Sequence, residues 1–201
     1  MNRPAGTSTL QPFDAEDLPS RLRSATDVAH RHLEQGLELL IPPLSHERFL
    51  VTLSRFWGFH AAWEPALRKR RELSGLMAER YRIDLLTRDL LALGLSQNTI
   101  DALPRCEAAA ALCTSTARAL GSLYVLEGST LGGQLITRAL LKAPWLPPSG
   151  LSYFDPYGLR TGAMWREIRA VLNASSSPAA DPLVESGARA TFAQLHAWLV
   201  D

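Results

Sequence analysis

Residues 123–134 read LYVLEGSTLGGQ, and how this stretch folds decides how the rest of the chain is read. It lies inside Ala119–Ile136, where Glu127 is the lone charge among apolar residues, four glycines, two serines, a threonine and a glutamine. Arg118 and Arg138 flank it. A membrane-spanning helix needs about 20 predominantly apolar residues, so a buried helix of a soluble protein is the better reading. Helix interiors disfavour glycine by about 1 kcal/mol each. On a helix, Gly121, Gly128 and Gly132 fall nearly on one line. A line without Cβ atoms admits either a tightly packed neighbouring helix, the commoner case, or something flat laid against the backbone.

The flanking sequence is helical in period. Residues 106–141, rich in alanine and leucine, read as one long helix bent at its glycines. Upstream, Asp17 or Ser20 caps a helix with Pro19 in its first turn. Leu22, Thr26, Ala29, Leu33, Leu37 and Leu40 then form an apolar stripe that Pro42-Pro43 ends. A second helix starts near Ser45, with Pro65 as a possible kink. A third covers Leu73 to Leu93 with a break, stopped by Gly94. Ser96 caps a short helix ending near Leu103-Pro104. After a loop at 144–150, helices follow over about 162–173 and 181–200, separated by the turn Ser175–Pro178. No stretch alternates with period two. The expected fold is all-α, a single-domain bundle of seven to nine helices over 17–201, preceded by a flexible arm at 1–16.

The 201 residues suit one domain with one sizeable core. A net charge of +1 offers no bulk field toward nucleic acid or an anionic membrane, so any anion needs a local basic cluster. Cys106 and Cys113 would sit roughly 10 Å apart along a helix, too far for a disulfide, and they lack zinc-site spacing. The first residues contain no apolar run of signal-peptide length. A cytoplasmic protein is expected.

A second motif is LRSATDVAHRHLE, residues 22–34. His30 and Glu34, four residues apart, share a helix face. His30 lies at one edge of the apolar stripe and His32 at the other. Periodicity does not choose between them, but both cannot bind one metal from this helix.

The two motifs together, LRxATxxxHxxxE followed about a hundred residues later by EGSxLGG, resemble the haem oxygenase family. The wording is most similar to the bacterial branch associated with bacteriophytochromes. The resemblance extends to YFDPYG at 153–158, GAMWREI at 162–168 and GARATFAQLHAWL at 187–199. It implies cleavage of haem b, substrate and cofactor at once, to biliverdin, carbon monoxide and iron. The oxidant would be dioxygen and the electrons would come from a separate donor such as ferredoxin or ascorbate. A bacteriophytochrome would be the bilin acceptor.

The resemblance also implies residue roles. His30 would be the proximal iron ligand, with Glu34 assisting. Gly128 and Gly132 would let the backbone approach the opposite face, and Ser129 would join a water network there. Arg23, Arg166 and Arg169, with the Tyr124 hydroxyl, would meet the propionates. Ser129 replaces an aspartate of mammalian relatives. His60 stands where relatives often carry tyrosine; it would donate to the water network, ligate iron as a sixth ligand, or simply bond to a neighbour. Three other readings stay open. One is a non-catalytic haem- or bilin-binding protein. Another is a non-haem di-iron oxygenase built from Asp27, His30, Glu34 and Glu64. The third is a thiamin-degrading relative, which would need a nucleophilic cysteine.

Overall fold

The computed structural model describes residues 17–41, 44–147 and 149–201. The expected arm at 1–16, Pro42-Pro43 and Pro148 lie outside the described residues. Eight α-helices and three short 3-10 segments make up the described chain, with no strand among the described residues. The helices are α1 (Leu18–Leu37), α2 (His46–Arg68), α3 (Ser74–Met77), α4 (Ile83–Ala92), α5 (Gln97–Asp101), α6 (Thr116–Leu140), α7 (Thr161–Ala174) and α8 (Asp181–Leu199). The all-α expectation holds. No single helix among the described residues is long and apolar enough to cross a membrane.

Polar side chains set several helix starts. Asp17, Ser45, Ser96 and Ser115 each accept a hydrogen bond from a first-turn N–H, which satisfies a donor the helix cannot. Two expectations need correction. First, α1 stops at Leu37, because Glu38 adopts a left-handed φ of 49°. Leu40 is therefore not part of the stripe and is 52% exposed. Second, residues 106–141 are not one helix. Glu107–Cys113 is a 3-10 segment, and Ser115 restarts the chain as α6 at an angle of 118°. The alanine-rich composition suits either segment, so it hides a boundary that one capping serine makes. Pro65 is accommodated inside α2, which continues to Arg68.

The centre of the molecule is α6, packed along α8. A Cβ on Gly121 would stand 2.0 Å from the Val184 carbonyl oxygen, and one on Gly187 would stand 2.3 Å from that of Arg118. The two helices thus lie backbone to backbone. Gly133 does the same against the Phe154 carbonyl, at 2.2 Å. Helix α1 also packs on α8, running parallel to it. Arg21 pairs with Asp181 at one end, and Gly36 abuts Val200 at the other. On the far side, α2 carries Trp63, Phe49 and Phe59 into the core. The buried Asp89 of α4 accepts from Ser152 N and Tyr153 N at 2.9 and 2.8 Å, which ties down the loop before α7. Burial raises the pKa of that carboxyl above the usual range, although the two N–H donors oppose the shift.

These contacts divide the glycines of α6 into two kinds, and alanine substitution separates them. Gly121→Ala should lower stability by about 1–3 kcal/mol, the usual effect of overpacking. Gly132→Ala meets nothing within 4 Å and should be neutral or stabilise by up to about 1 kcal/mol. Thermal unfolding followed by circular dichroism checks this. A more destabilised Gly132→Ala would mean that Gly132 is also a packing glycine.

Candidate functional site

Helices α1 and α6 both pack against α8 and α7. They come near one another at Thr26 and Tyr124, where the Thr26 side chain lies close enough to the Tyr124 phenol to lower its pKa against the effect of burial. From that meeting point His30 lies one turn further along α1. Gly128 and Gly132 lie one and two turns further along α6.

His30 has a side chain 51% exposed, on the surface of α1. Its Nε2 stands 3.4 Å from Glu34 Oε1, and its ring packs edge-on against Phe192 of α8 at 5.7 Å. The other ring nitrogen has no partner among the described residues. His32 is exposed and has neither contact. The glycine line is not uniform. Gly121 is a packing glycine, as described above. A Cβ on Gly128 would meet only the Trp165 indole, at 3.6 and 3.7 Å, and one on Gly132 would meet nothing. Leu131 and Leu135 beside them are 44% and 54% exposed. Here α6 presents bare backbone flanked by apolar side chains. Ser129 is exposed and donates back to the Leu126 carbonyl at 2.8 Å.

Tyr124 is buried, and that burial raises its pKa above the usual phenol value, opposed by Thr26, Arg23 and Arg169. The phenol therefore has cations from α1 and α7 nearby. Arg169 also pairs with Asp17 at 3.2 Å, which fastens the start of α1 to α7. Hydrogen bonds from Ser20 hold the Asp17 carboxyl down at about 2. Arg23 and Arg166 are exposed and have no ion-pair partner among the described residues. Tyr124, Arg23 and Arg169 thus come together around one end of the α1–α6 junction.

His60 sits elsewhere, 1% exposed in the core. Its Nδ1 faces Glu64 Oε1 at 3.0 Å, and its Nε2 faces the Tyr153 hydroxyl at 3.3 Å. A carboxylate only accepts, so Nδ1 carries the proton that faces Glu64. Neither nitrogen is free. Glu64 Oε1 also accepts from Arg82 N and Ile83 N, at 2.7 and 3.0 Å.

The sequence reading missed what lies behind α6. Glu127, next to Gly128, is 2% exposed and pairs with Arg82. Arg80 Nε stands 3.4 Å from its other oxygen, Oε2, and the Tyr157 hydroxyl donates to Oε1, the oxygen facing Arg82, at 2.9 Å. Burial opposes the Arg82 charge, but Glu127 and the neighbouring tyrosines overcome this and raise its pKa. Burial pushes the Tyr157 phenol up to about 12. One signal was present in the sequence: a single charge within an apolar run must find a partner if it is buried.

The groups required by the competing chemistries do not converge. Glu64 belongs to the buried cluster, whereas Asp27 and Glu34 lie on the exposed face of α1. Among the described residues, no three His, Cys, Asp or Glu side chains are grouped to hold a metal ion. Cys106 and Cys113 are buried thiols. Burial raises the pKa of both, that of Cys113 to about 12, the opposite of what a nucleophilic thiolate needs.

Residues 16–201 match the family described as Heme oxygenase. A protein of Xanthomonas campestris pv. campestris (strain 8004), named heme oxygenase, is 37% identical over 128 residues, covering 60% of this chain and 68% of that protein. Among solved structures, the NO- and CO-bound heme oxygenase of Neisseria meningitidis is 26% identical with a TM-score of 0.73, covering 92% of this chain and 91% of that one. A heme oxygenase-1 of Synechocystis in complex with heme is 18% identical with a TM-score of 0.77, covering 91% and 90%. At that identity the likeness speaks for the fold alone.

Proposed function

From the premise that the chain belongs to the haem oxygenase family, we propose that it opens haem b with dioxygen to biliverdin, carbon monoxide and iron. The observation that carries this reading is the pair Gly128 and Gly132. Each costs about 1 kcal/mol of helix stability, and Gly132 has no protein neighbour that would require the absence of a side chain. Bare backbone between exposed leucines suits a flat apolar ring, and an exposed imidazole and several arginines suit its metal and its carboxylates.

In this reading His30 gives one ring nitrogen to iron, and Glu34 accepts from the other, which fixes the tautomer. Phe192 limits the rotation of the ring. Arg23, Arg166 and Arg169 hold the propionates, and the Tyr124 hydroxyl adds a neutral donor. The backbone at Gly128 and Gly132 leaves room for a small ligand and ordered water, with Ser129 at the edge of that space. When bound, haem supplies the redox metal and is itself the molecule oxidised. His60 serves behind α6, within the Glu64–Tyr153 cluster. The electrons come from a separate donor of the ferredoxin or ascorbate class. The sequence likeness to the bacteriophytochrome-associated branch supports a phytochrome as the bilin acceptor.

The test is a visible spectrum of the protein with one equivalent of haemin, followed by ascorbate in air with catalase present. Loss of the haem band and growth of a broad red bilin band is the expected result. A haem band that persists under reductant would make the protein a carrier, and no haem binding would discard the reading. Gly132→Leu should still bind haem but lose turnover by about 100-fold or more, the scale expected when a reacting group is displaced by 1 Å. Normal turnover in that variant would remove Gly132 from the site.

A further inference from the structure

The cations around Tyr124 choose which end of a ring carries the carboxylates, but they do not fix its angle. Arg23 and Arg166 are exposed, and such long side chains can follow a carboxylate through a wide arc. A rigid wall is needed as well, and Trp165 is placed to be one. Its indole edge lies 3.6–3.7 Å from the Cβ position of Gly128, in van der Waals contact with the start of the bare backbone. It tilts against the Tyr124 ring at 5.6 Å, and Tyr124 reaches Thr26. Indole, phenol and Thr26 therefore bridge α7, α6 and α1. Beyond this bridge, toward Gly132, the glycine face meets nothing. Trp165 and Arg169 are four residues apart on one face of α7, so the wall and a cation reach the same end of the ring together.

Building on the function proposed above, we propose that Trp165 is the steric stop that sets the in-plane seating of haem, and so selects which meso carbon is opened. A flat ligand entering over Gly132 slides until its carboxylate-bearing edge meets the indole. The few rotations compatible with that contact are the ones the arginines can hold. Trp165 is here a positioning residue.

The test reads seating without turnover. Proton NMR of the ferric, cyanide-bound complex resolves the haem methyl groups, whose shifts report the ring's orientation. The wild type should give one dominant set. Trp165→Ala should give at least two, and its biliverdin should contain a second meso isomer at a share raised about tenfold or more, the scale of one lost apolar contact in discrimination. Trp165→Phe should restore a single set. Trp165→Leu, which keeps apolar packing on Tyr124 but lacks a flat edge, is read in the same way if the alanine variant fails to fold. An unchanged single set and unchanged isomer in the alanine or leucine variant would overturn the proposal while leaving the oxygenase reading intact. A wild type that binds no haem would overturn both.

Discussion

His30→Ala should abolish the spectrum of ligated haem and lower turnover by more than about 100-fold, while His32→Ala leaves both largely intact. The two histidines are two residues apart on the same exposed helix and differ only in their surroundings. His30 has Glu34 at 3.4 Å and the Phe192 ring at 5.7 Å. His32 has neither. Loss of the group that orients a ligating histidine costs 10–100-fold, so loss of the ligand itself should cost more. Titration with haemin followed at the Soret band, with the ascorbate assay alongside, measures both effects. Equal loss in the two variants would mean that the ligand has been misassigned. Glu34→Gln should fall between them, because an amide oxygen still accepts a hydrogen bond but carries no charge.

The second large effect is on stability. Glu127→Ala should destabilise the fold by about 3–5 kcal/mol, because it leaves Arg82 buried without its carboxylate, while Arg80 keeps Glu167 at 2.7 Å. For a chain of this size that corresponds to a fall in Tm on the order of 10 °C. Glu127→Gln should cost less. Replacing both partners, as in Glu127→Leu with Arg82→Met, should recover much of the loss, since two apolar groups leave no orphaned charge. Denaturant unfolding of the single and double variants measures the coupling. A loss below about 1 kcal/mol for Glu127→Ala would mean that water reaches the arginines.

Most of the fold was legible because its signals are local. The capping carboxylate at Asp17, the capping serines at 45 and 96 and the stripe from Leu22 to Leu37 each act within one or two turns. Where the reading failed, a distant partner or a single residue decided. Ser115 divides a run whose composition suits either kind of helix. Gly121, Gly128 and Gly132 look alike along the chain and differ only in what faces them: the backbone of α8, an indole, and nothing. The Arg80–Arg82–Glu127–Tyr157 cluster joins positions up to 77 residues apart, and periodicity tells which face is buried but not which residue it meets. For the candidate site, the motif pattern picked out His30 and the glycine pair, while Trp165 and Phe192 needed the packing.

The parallel packing of α1 on α8 has a consequence for how the protein is made. The helix carrying His30 is synthesised well before its main support, residues 181–199, since Arg21 and Asp181 are 160 residues apart. At 5–20 residues per second, α1 waits roughly ten to thirty seconds on the ribosome before that partner is made. Until then Leu22 and Leu33 have no α8 to pack against. Haem captured by a nascent chain would find an imidazole without its Phe192 backing. In the proposed reading, loading with haem should therefore wait until α8 has been made.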